Sequence, residues 1–130
     1  MSKSMESPMP ELMTPSQAAL EWINELNPFH SDPTNISNLA REVAELVTAP
    51  VTQSMFDALV CFASDEGLGA LKGSTLLRLL NQHFYAAAAQ QFERWDKEAD
   101  PETGEQVVSP RLKRRRLAER HLFEKEGFQP

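Results

Sequence analysis

The stretch 74–97 constrains the fold most, because it is the longest uninterrupted helical pattern in the sequence. Its apolar side chains recur every three or four residues, which is the spacing of one face of an α-helix. These side chains are Leu76, Leu77, Leu80, Phe84, Ala87, Ala88, Phe92 and Trp95. Ser74 suits the N-cap, since its hydroxyl can accept a hydrogen bond from a first-turn amide. The apolar arc is wider than a two-stranded coiled coil needs, so the pattern predicts a long central helix covered by several neighbours.

The other helices are predicted from their start signals and their apolar periodicity. A capping residue followed by proline occurs at Thr14, Asp32 and Ser109, and proline is favoured at the first helical position. With the central helix, the predicted helical spans are 14–26, 33–48, 51–64, 74–97 and 110–126. The span 51–64 has little polar surface, so we expect it to be deeply buried. Residues 100–104 form a turn signal, and Val107-Val108 is the only pair that favours a strand.

A chain of 130 residues with 41% hydrophobic content suits one domain with a single core. We therefore predict an all-α fold, a compact bundle of four to five helices around the long central helix at about 74–97. Residues 1–13 are expected to form a mobile N-terminal arm and 14–98 an acidic helical bundle. Residues 99–109 are expected to form a turn or linker, and 110–127 a basic C-terminal helix.

The charge is distributed unevenly along the chain. The net charge is −6, but residues 1–110 carry −10 and residues 111–130 carry +4. Six cations lie between positions 111 and 120, and we take them as the candidate contact set: Arg111, Lys113, Arg114, Arg115, Arg116 and Arg120. Guanidinium groups pair with phosphate or carboxylate. No aromatic residue alternates with these cations, so contact with a polynucleotide backbone is expected rather than base stacking.

Three interpretations of this basic helix compete. It binds nucleic acid, it contacts an acidic partner or serves as a transport signal, or it folds against the acidic body of its own chain. We favour a non-catalytic small regulatory or assembly factor. Its basic helix would engage DNA, RNA or a nucleoprotein complex, and its acidic body a protein partner. The alternative is a protein–protein adaptor or inhibitor, or a self-associating helical protein, without nucleic-acid contact. An enzyme is the third and least favoured class.

No other motif predicts chemistry. The glycine-rich stretch 67–75 has its lysine before the last glycine, which is the wrong order for a phosphate-binding loop. The acidic stretch 96–107 lacks the glycine and glutamate of a calcium loop. The histidines show no metal-ligand spacing, and Cys61, the single cysteine, is expected to be a buried inert thiol. We therefore expect no cofactor and no metal. Without a membrane-spanning run or a signal peptide, we expect a cytoplasmic protein that makes no membrane contact.

Overall fold

The computed structural model describes residues 13–26 and 33–128 of the chain. This part of the chain contains seven α-helices and one two-stranded antiparallel sheet. In chain order they are α1 (Gln17–Leu26), α2 (Pro33–Leu46), α3 (Gln53–Glu66), α4 (Leu68–Lys72), α5 (Thr75–Asn81), α6 (Tyr85–Gln91), β1 (Lys97–Ala99), β2 (Gln106–Val108) and α7 (Pro110–Glu124). Helices α1, α2, α3 and α7 occupy four of the predicted spans, with ends that differ by at most three residues. Within 13–26 and 33–128, no helix combines the length and apolarity needed to cross a bilayer.

The central element is α3, which packs against α1, α2, α4 and α7. Every residue from Ser54 to Ala63 is buried, which confirms the expected deep burial. The Thr52 hydroxyl caps the helix by accepting from the Met55 amide at 3.1 Å. A helix that is apolar on all sides must be covered on all sides, whereas 74–97 is apolar on one face only. The prediction that 74–97 forms the centre of the fold is therefore wrong.

The predicted single helix 74–97 is broken between Asn81 and Tyr85. His83 has a φ of +68°, a left-handed conformation that histidine adopts more readily than most residues. The Phe84 amide then donates to the Leu79 carbonyl at 2.9 Å, which closes α5. As a result Phe84, which the periodic pattern placed on the buried face, is 56% exposed.

Tertiary hydrogen bonds hold this break in place. Asn81 donates its side-chain amide to the Leu46 carbonyl at 3.0 Å and accepts from the Thr48 amide at 2.8 Å. The Tyr85 hydroxyl donates to the Pro50 carbonyl at 2.7 Å. Asn81 and Tyr85 thus provide hydrogen-bond partners for backbone groups of the segment 46–50, where the chain leaves α2. A backbone group that is buried without a partner destabilises the fold. These contacts outweigh the local preference for one continuous helix.

An aromatic cluster joins α3, the short 3₁₀ turn Phe92–Arg94 and α7. The ring of Phe92 meets those of Phe62 and Phe123 edge-on, with centroids 5.8 and 5.5 Å apart. Trp95 also packs edge-on against Phe62, at 5.4 Å. Edge-on pairs at these distances add to the stability gained from burying the rings. The cluster fixes α7 against α3, and so sets which side of α7 faces inward.

A two-stranded hairpin precedes α7, so the expectation of an all-α chain is wrong. Lys97 pairs with Val108, and Ala99 with Gln106. In the turn, the Asp100 carboxylate accepts from the Glu102 amide at 2.8 Å. The turn predicted at 100–104 is therefore confirmed, and Val108 lies in a strand as its residue type suggested. The strands are exposed on both sides, so they lack the alternating apolar pattern that marks a half-buried strand.

Helix α1 begins later than the sequence indicated. The Ser16 hydroxyl accepts from the Ala19 amide at 3.2 Å, so the cap is Ser16 and the cap predicted at Thr14 is wrong. Ser16 also donates its backbone amide and its hydroxyl to the Asp57 carboxylate, at 2.9 and 2.6 Å. This buried carboxylate ties the start of α1 to α3. The predicted cap at Asp32 and the predicted arm up to residue 12 lie outside the described residues.

Candidate active site

The six candidate contact residues have very different surroundings. The Arg116 side chain is 0% exposed and lies inside the protein, and that of Arg115 is 16% exposed. The Arg111 side chain is 54% exposed. The remaining three are Lys113 and Arg114, which are exposed, and Arg120, which is partly buried. The basic helix is therefore not one continuous cationic surface.

Arg116 lies at the centre of a buried ion cluster, which we define as Asp65, Glu66, Arg115, Arg116 and Glu119. Its guanidinium donates to Asp65 at 2.5 Å, to Glu66 at 2.7 Å and to Glu119 at 3.2 Å. Arg115 donates to the other oxygen of Asp65 at 2.5 Å. Arg116 also lies over the ring of Phe62, with Cζ 5.2 Å from the centroid. The cluster joins α7 to the carboxyl end of α3.

The cluster contains three carboxyl groups and two guanidinium groups. Burial raises the pKa of Glu119 to about 8, because the attraction of Arg116 offsets only part of the cost of removing the charge from water. Burial also raises the pKa of Glu66. Near neutral pH Glu119 therefore keeps its proton and lies beside Arg116 as an uncharged acid.

Two further cations of α7 pair with carboxylates of the same chain. Arg111 lies 3.3 Å from Glu98 of the hairpin. Arg120 lies 3.1 Å from Glu124 and also contacts Glu93. The positive charge counted in the sequence is thus largely neutralised within the fold. The role of the six cations as a binding set stays a prediction.

A cleft of about 370 Å³ lies between α1 and α7. We call it the α1–α7 cleft, and it is lined by Trp22, Glu25, Arg111, Arg114, Arg115 and Ala118. Its volume falls within the range of small-ligand sites. Because α1 is anchored through Ser16 and α7 through Arg116, both walls are fixed by buried polar contacts.

The lining of the cleft suits a polar ligand that carries acidic groups. Its three arginines offer forked donors to a carboxylate or phosphate. Trp22 offers an aromatic surface with a polar edge. Glu25 is the only carboxylate among the described lining residues, and it can accept hydrogen bonds or exchange a proton with a ligand.

The described part of the chain also has cavities of about 330 Å³ and about 490 Å³. Within residues 13–26 and 33–128, no group of three His, Cys, Asp or Glu side chains is placed to hold a metal ion. Cys61 is buried, and burial raises the pKa of its thiol. A second cavity, at Lys72 and Ser74, opens beside a helix of seven residues. A third lies along α2, near Leu39 and Ala63.

Sequence reasoning missed the contributions of Trp22, Glu25, Asp65 and Glu66. A signal was present, because two adjacent carboxylates at the end of a buried helix require cationic partners. The arginine run of α7 supplies those partners.

Comparison with known proteins identifies the family. Residues 8–119 match the family described as Phage lysozyme. The endolysin of Bacillus phage B103 is 48% identical over 81 residues, which cover 62% of this chain and 28% of that protein. The endolysin of Salmonella phage P22 is 39% identical over 75 residues, covering 57% of this chain and 49% of that protein. The chain therefore spans half or less of the length of these relatives.

Solved structures give the same result. The muramidase domain of SpmX from Asticaccaulis excentricus superposes with a TM-score of 0.74 at 25% identity. That match covers 83% of this chain and 95% of the domain. The endolysin from Escherichia coli O157:H7 phage FAHEc1 gives a TM-score of 0.67 at 26% identity, covering 75% of this chain and 61% of that one. The architecture is thus lysozyme-like, mostly helical with a small antiparallel sheet.

These findings contradict the predicted fold and function. The compact bundle around a long central helix is replaced by the lysozyme-like fold. The non-catalytic regulatory factor is replaced by a family of cell-wall enzymes, and nothing supports a nucleic-acid partner. The error has a physical cause. The arginine run was read as a free polyanion-binding surface, whereas Arg116 is buried and Arg115 is paired with Asp65.

Proposed function

Since this chain belongs to the phage lysozyme family, we propose that it acts in the hydrolysis of bacterial peptidoglycan, as a glycoside hydrolase of the muramidase type. The observation that carries the proposal is the family match over residues 8–119. The relatives named as endolysins and the neighbour named as a muramidase domain support the same chemistry. Because the chain spans only part of those relatives, its activity has to be measured directly.

We assign the α1–α7 cleft as the place where the glycan binds. A sugar chain presents hydroxyl groups and apolar ring faces, which match the carboxylate of Glu25 and the indole of Trp22. Polar groups placed on an aromatic wall are typical of small-ligand sites. Glu25 is then the residue of the described cleft that can transfer a proton to or from the glycosidic bond.

Glycoside hydrolysis ordinarily requires two carboxyl groups, one on each side of the scissile bond. Asp65 is unsuited to the second role, because Arg115 and Arg116 hold its two oxygens. A second carboxylate is therefore sought among the residues of this chain that do not line the described cleft. Glu11 and Asp32 flank α1 in the sequence and are the first to test.

The test uses the purified full chain and insoluble peptidoglycan, with release of reducing sugar ends as the measurement. Glu25→Gln should lower the rate at least about a hundredfold, which is the usual contribution of a proton-transferring group. Glu21→Gln is the matched control, since Glu21 lies on the same helix and outside the cleft. Glu11→Gln and Asp32→Asn identify the second carboxylate.

Two results would overturn parts of this proposal. Absence of reducing ends with the unmodified chain, even where it sediments with peptidoglycan, would overturn hydrolysis. An unchanged rate for Glu25→Gln would overturn the assignment of Glu25 and leave hydrolysis standing.

A further inference from the structure

The segment 67–92 contains no acidic residue, although the whole chain has 19 of them. This acid-free segment includes α4, α5 and α6, and with them the break at His83 and the exposed ring of Phe84. We propose that it is a contact surface for an anionic lipid bilayer, in which Phe84 inserts among the acyl chains while Lys72 and Arg78 pair with lipid phosphates. The inference goes beyond the proposed function and does not depend on it, because none of these three residues lines the α1–α7 cleft.

The first argument is the exposure of Phe84. At 56%, it is the most exposed large apolar side chain within residues 13–26 and 33–128. A single exposed apolar residue is common on protein surfaces and indicates nothing by itself. Here the exposure follows from the break at His83, whose φ of +68° is unfavourable for a residue with a Cβ atom. A continuous helix would avoid this strain, and backbone strain that the surrounding structure maintains is typical of functional segments.

The second argument is that the break is held on both sides of Phe84. Asn81 donates to the Leu46 carbonyl at 3.0 Å, and the Tyr85 hydroxyl donates to the Pro50 carbonyl at 2.7 Å. The backbone that carries Phe84 is thus tied to the segment that follows α2. The ring is therefore presented from an ordered backbone, which lowers the entropic cost of binding.

The third argument is charge. Lys72 and Arg78 line one cavity of about 330 Å³, and Asn81, three residues before Phe84, lines it too. Both cations are exposed, and neither makes an ion pair with any residue in 13–26 or 33–128. Four cations of α7, by contrast, have carboxylate partners. Free cations beside an exposed aromatic residue are typical of proteins that lie on anionic membranes.

A bilayer surface matches these features better than other partners do. A soluble polyanion offers phosphates but no apolar phase for the ring of Phe84. An apolar pocket of another protein accepts the ring but leaves Lys72 and Arg78 without partners. Helices α5 and α6 have seven residues each, far fewer than the roughly 20 that span a bilayer, so the contact is confined to its surface. The expectation of no membrane contact came from the lack of a spanning run, which does not bear on surface contact.

The experiment measures co-sedimentation of the full chain with two kinds of vesicle. One contains phosphatidylglycerol and phosphatidylethanolamine in equal parts, and the other phosphatidylcholine alone. A chain of net charge −6 is repelled as a whole by the anionic vesicles, so tighter binding to them reports a local cationic surface. Phe84→Ala should weaken this binding about tenfold, because most of the transfer free energy of the ring is lost. Lys72→Gln and Arg78→Gln should each weaken it about fivefold.

Matched controls use exposed residues elsewhere on the chain. Val108→Ala is the control for Phe84→Ala, since Val108 is 51% exposed and lies on the hairpin. Lys113→Gln is the control for the two cation changes, since Lys113 is exposed on α7. Both controls should bind anionic vesicles as the unmodified chain does. An unchanged denaturation midpoint reports that each variant has folded.

Insertion is measured separately from adsorption with Phe84→Trp. Lipids with brominated acyl chains quench an indole that lies among them, so this variant should be quenched more strongly than the unmodified chain.

The outcomes separate this surface from the proposed function. Equal binding to the two kinds of vesicle, or binding to neither, overturns the lipid contact, as does an equal loss in the control variants. Binding to anionic vesicles without additional quenching in Phe84→Trp overturns the insertion of Phe84. Capture of a protein through Phe84, without vesicle binding, also overturns the proposal. Release of reducing ends is measured independently, so hydrolysis stands or fails apart from these results.

Discussion

Replacing Arg116 by methionine tests the buried ion cluster most directly. The change removes three hydrogen bonds from a fully buried guanidinium to the carboxyl groups of Asp65, Glu66 and Glu119. Hydrogen bonds to charged groups contribute about 1.5–3 kcal/mol each. A simple sum overstates the loss, because Asp65 keeps Arg115 and because Glu119 already holds a proton near neutral pH. Breaking a buried ion pair costs about 3–5 kcal/mol, so we expect about 3 kcal/mol, at the lower end of that range.

The assay is urea denaturation at pH 7, followed by tryptophan fluorescence, since Trp22 and Trp95 are both partly buried. Arg116→Met should lower the free energy of unfolding by about 3 kcal/mol without changing the denaturant slope. Glu119→Gln should change it by less than about 1 kcal/mol, because an amide resembles the protonated acid in shape and charge. Arg114→Ala, an exposed change on the same helix, should stay within about 0.5 kcal/mol. A loss below about 0.5 kcal/mol for Arg116→Met would refute the reasoning. So would a larger loss for Glu119→Gln than for Arg116→Met.

Three further predictions concern the fold. Burial raises the pKa of Glu119 to about 8, so the native state holds a proton that the unfolded chain releases near pH 4.5. Proton binding by Glu119 therefore stabilises the native state. This stabilisation is complete below pH 4.5 and is lost as the pH rises through about 8. Thermal unfolding from pH 5 to 9 checks this, and Glu119→Gln should flatten the profile, whereas an equal slope in both would contradict it. His83→Gly should raise the free energy of unfolding by up to about 1 kcal/mol. The positive φ of +68° costs a residue with a Cβ atom about 1–2 kcal/mol, and the greater backbone entropy of glycine in the unfolded chain offsets about 0.5–1 kcal/mol of that gain. A lower stability of the variant would argue against strain at His83. Asn81→Ala should lower the free energy of unfolding by about 1–3 kcal/mol, because the Thr48 amide and the Leu46 carbonyl lose their partner. An unchanged denaturation midpoint would contradict a stabilising role for Asn81.

The helices with strong periodicity and clear caps could be predicted from the sequence. The helices α2, α3 and α7 lie near their predicted bounds. The break at His83 could not be predicted, since it depends on hydrogen bonds from Asn81 to residues far away in the sequence. A local pattern reports which residues prefer a helix, and long-range polar contacts override that preference.

The inward face of α7 shows why the site was misread. The residues buried on this helix are Leu112, Arg116, Glu119 and Phe123. Their spacing of four, three and four residues is that of a single helical face. Two of the four are charged, and a search restricted to apolar residues passes over them. Charged residues at positions of an apolar stripe indicate a buried ion pair, and that rule would have found Arg116 and Glu119.

The segment just before α1 and the segment just after α7 both contact residues near the start of α3. Asp57 binds Ser16 just before α1, and the Ser54 amide donates to Glu126 just after α7, at 2.8 Å. Residues 54 and 57 lie within one turn of α3, so the two flanks meet at the same end of this helix. A short peptide could therefore join the two flanks into a closed circle. New termini opened in the exposed hairpin turn at 101–103 would then give a circular permutant that keeps the α1–α7 cleft, with its ends on the hairpin that precedes α7.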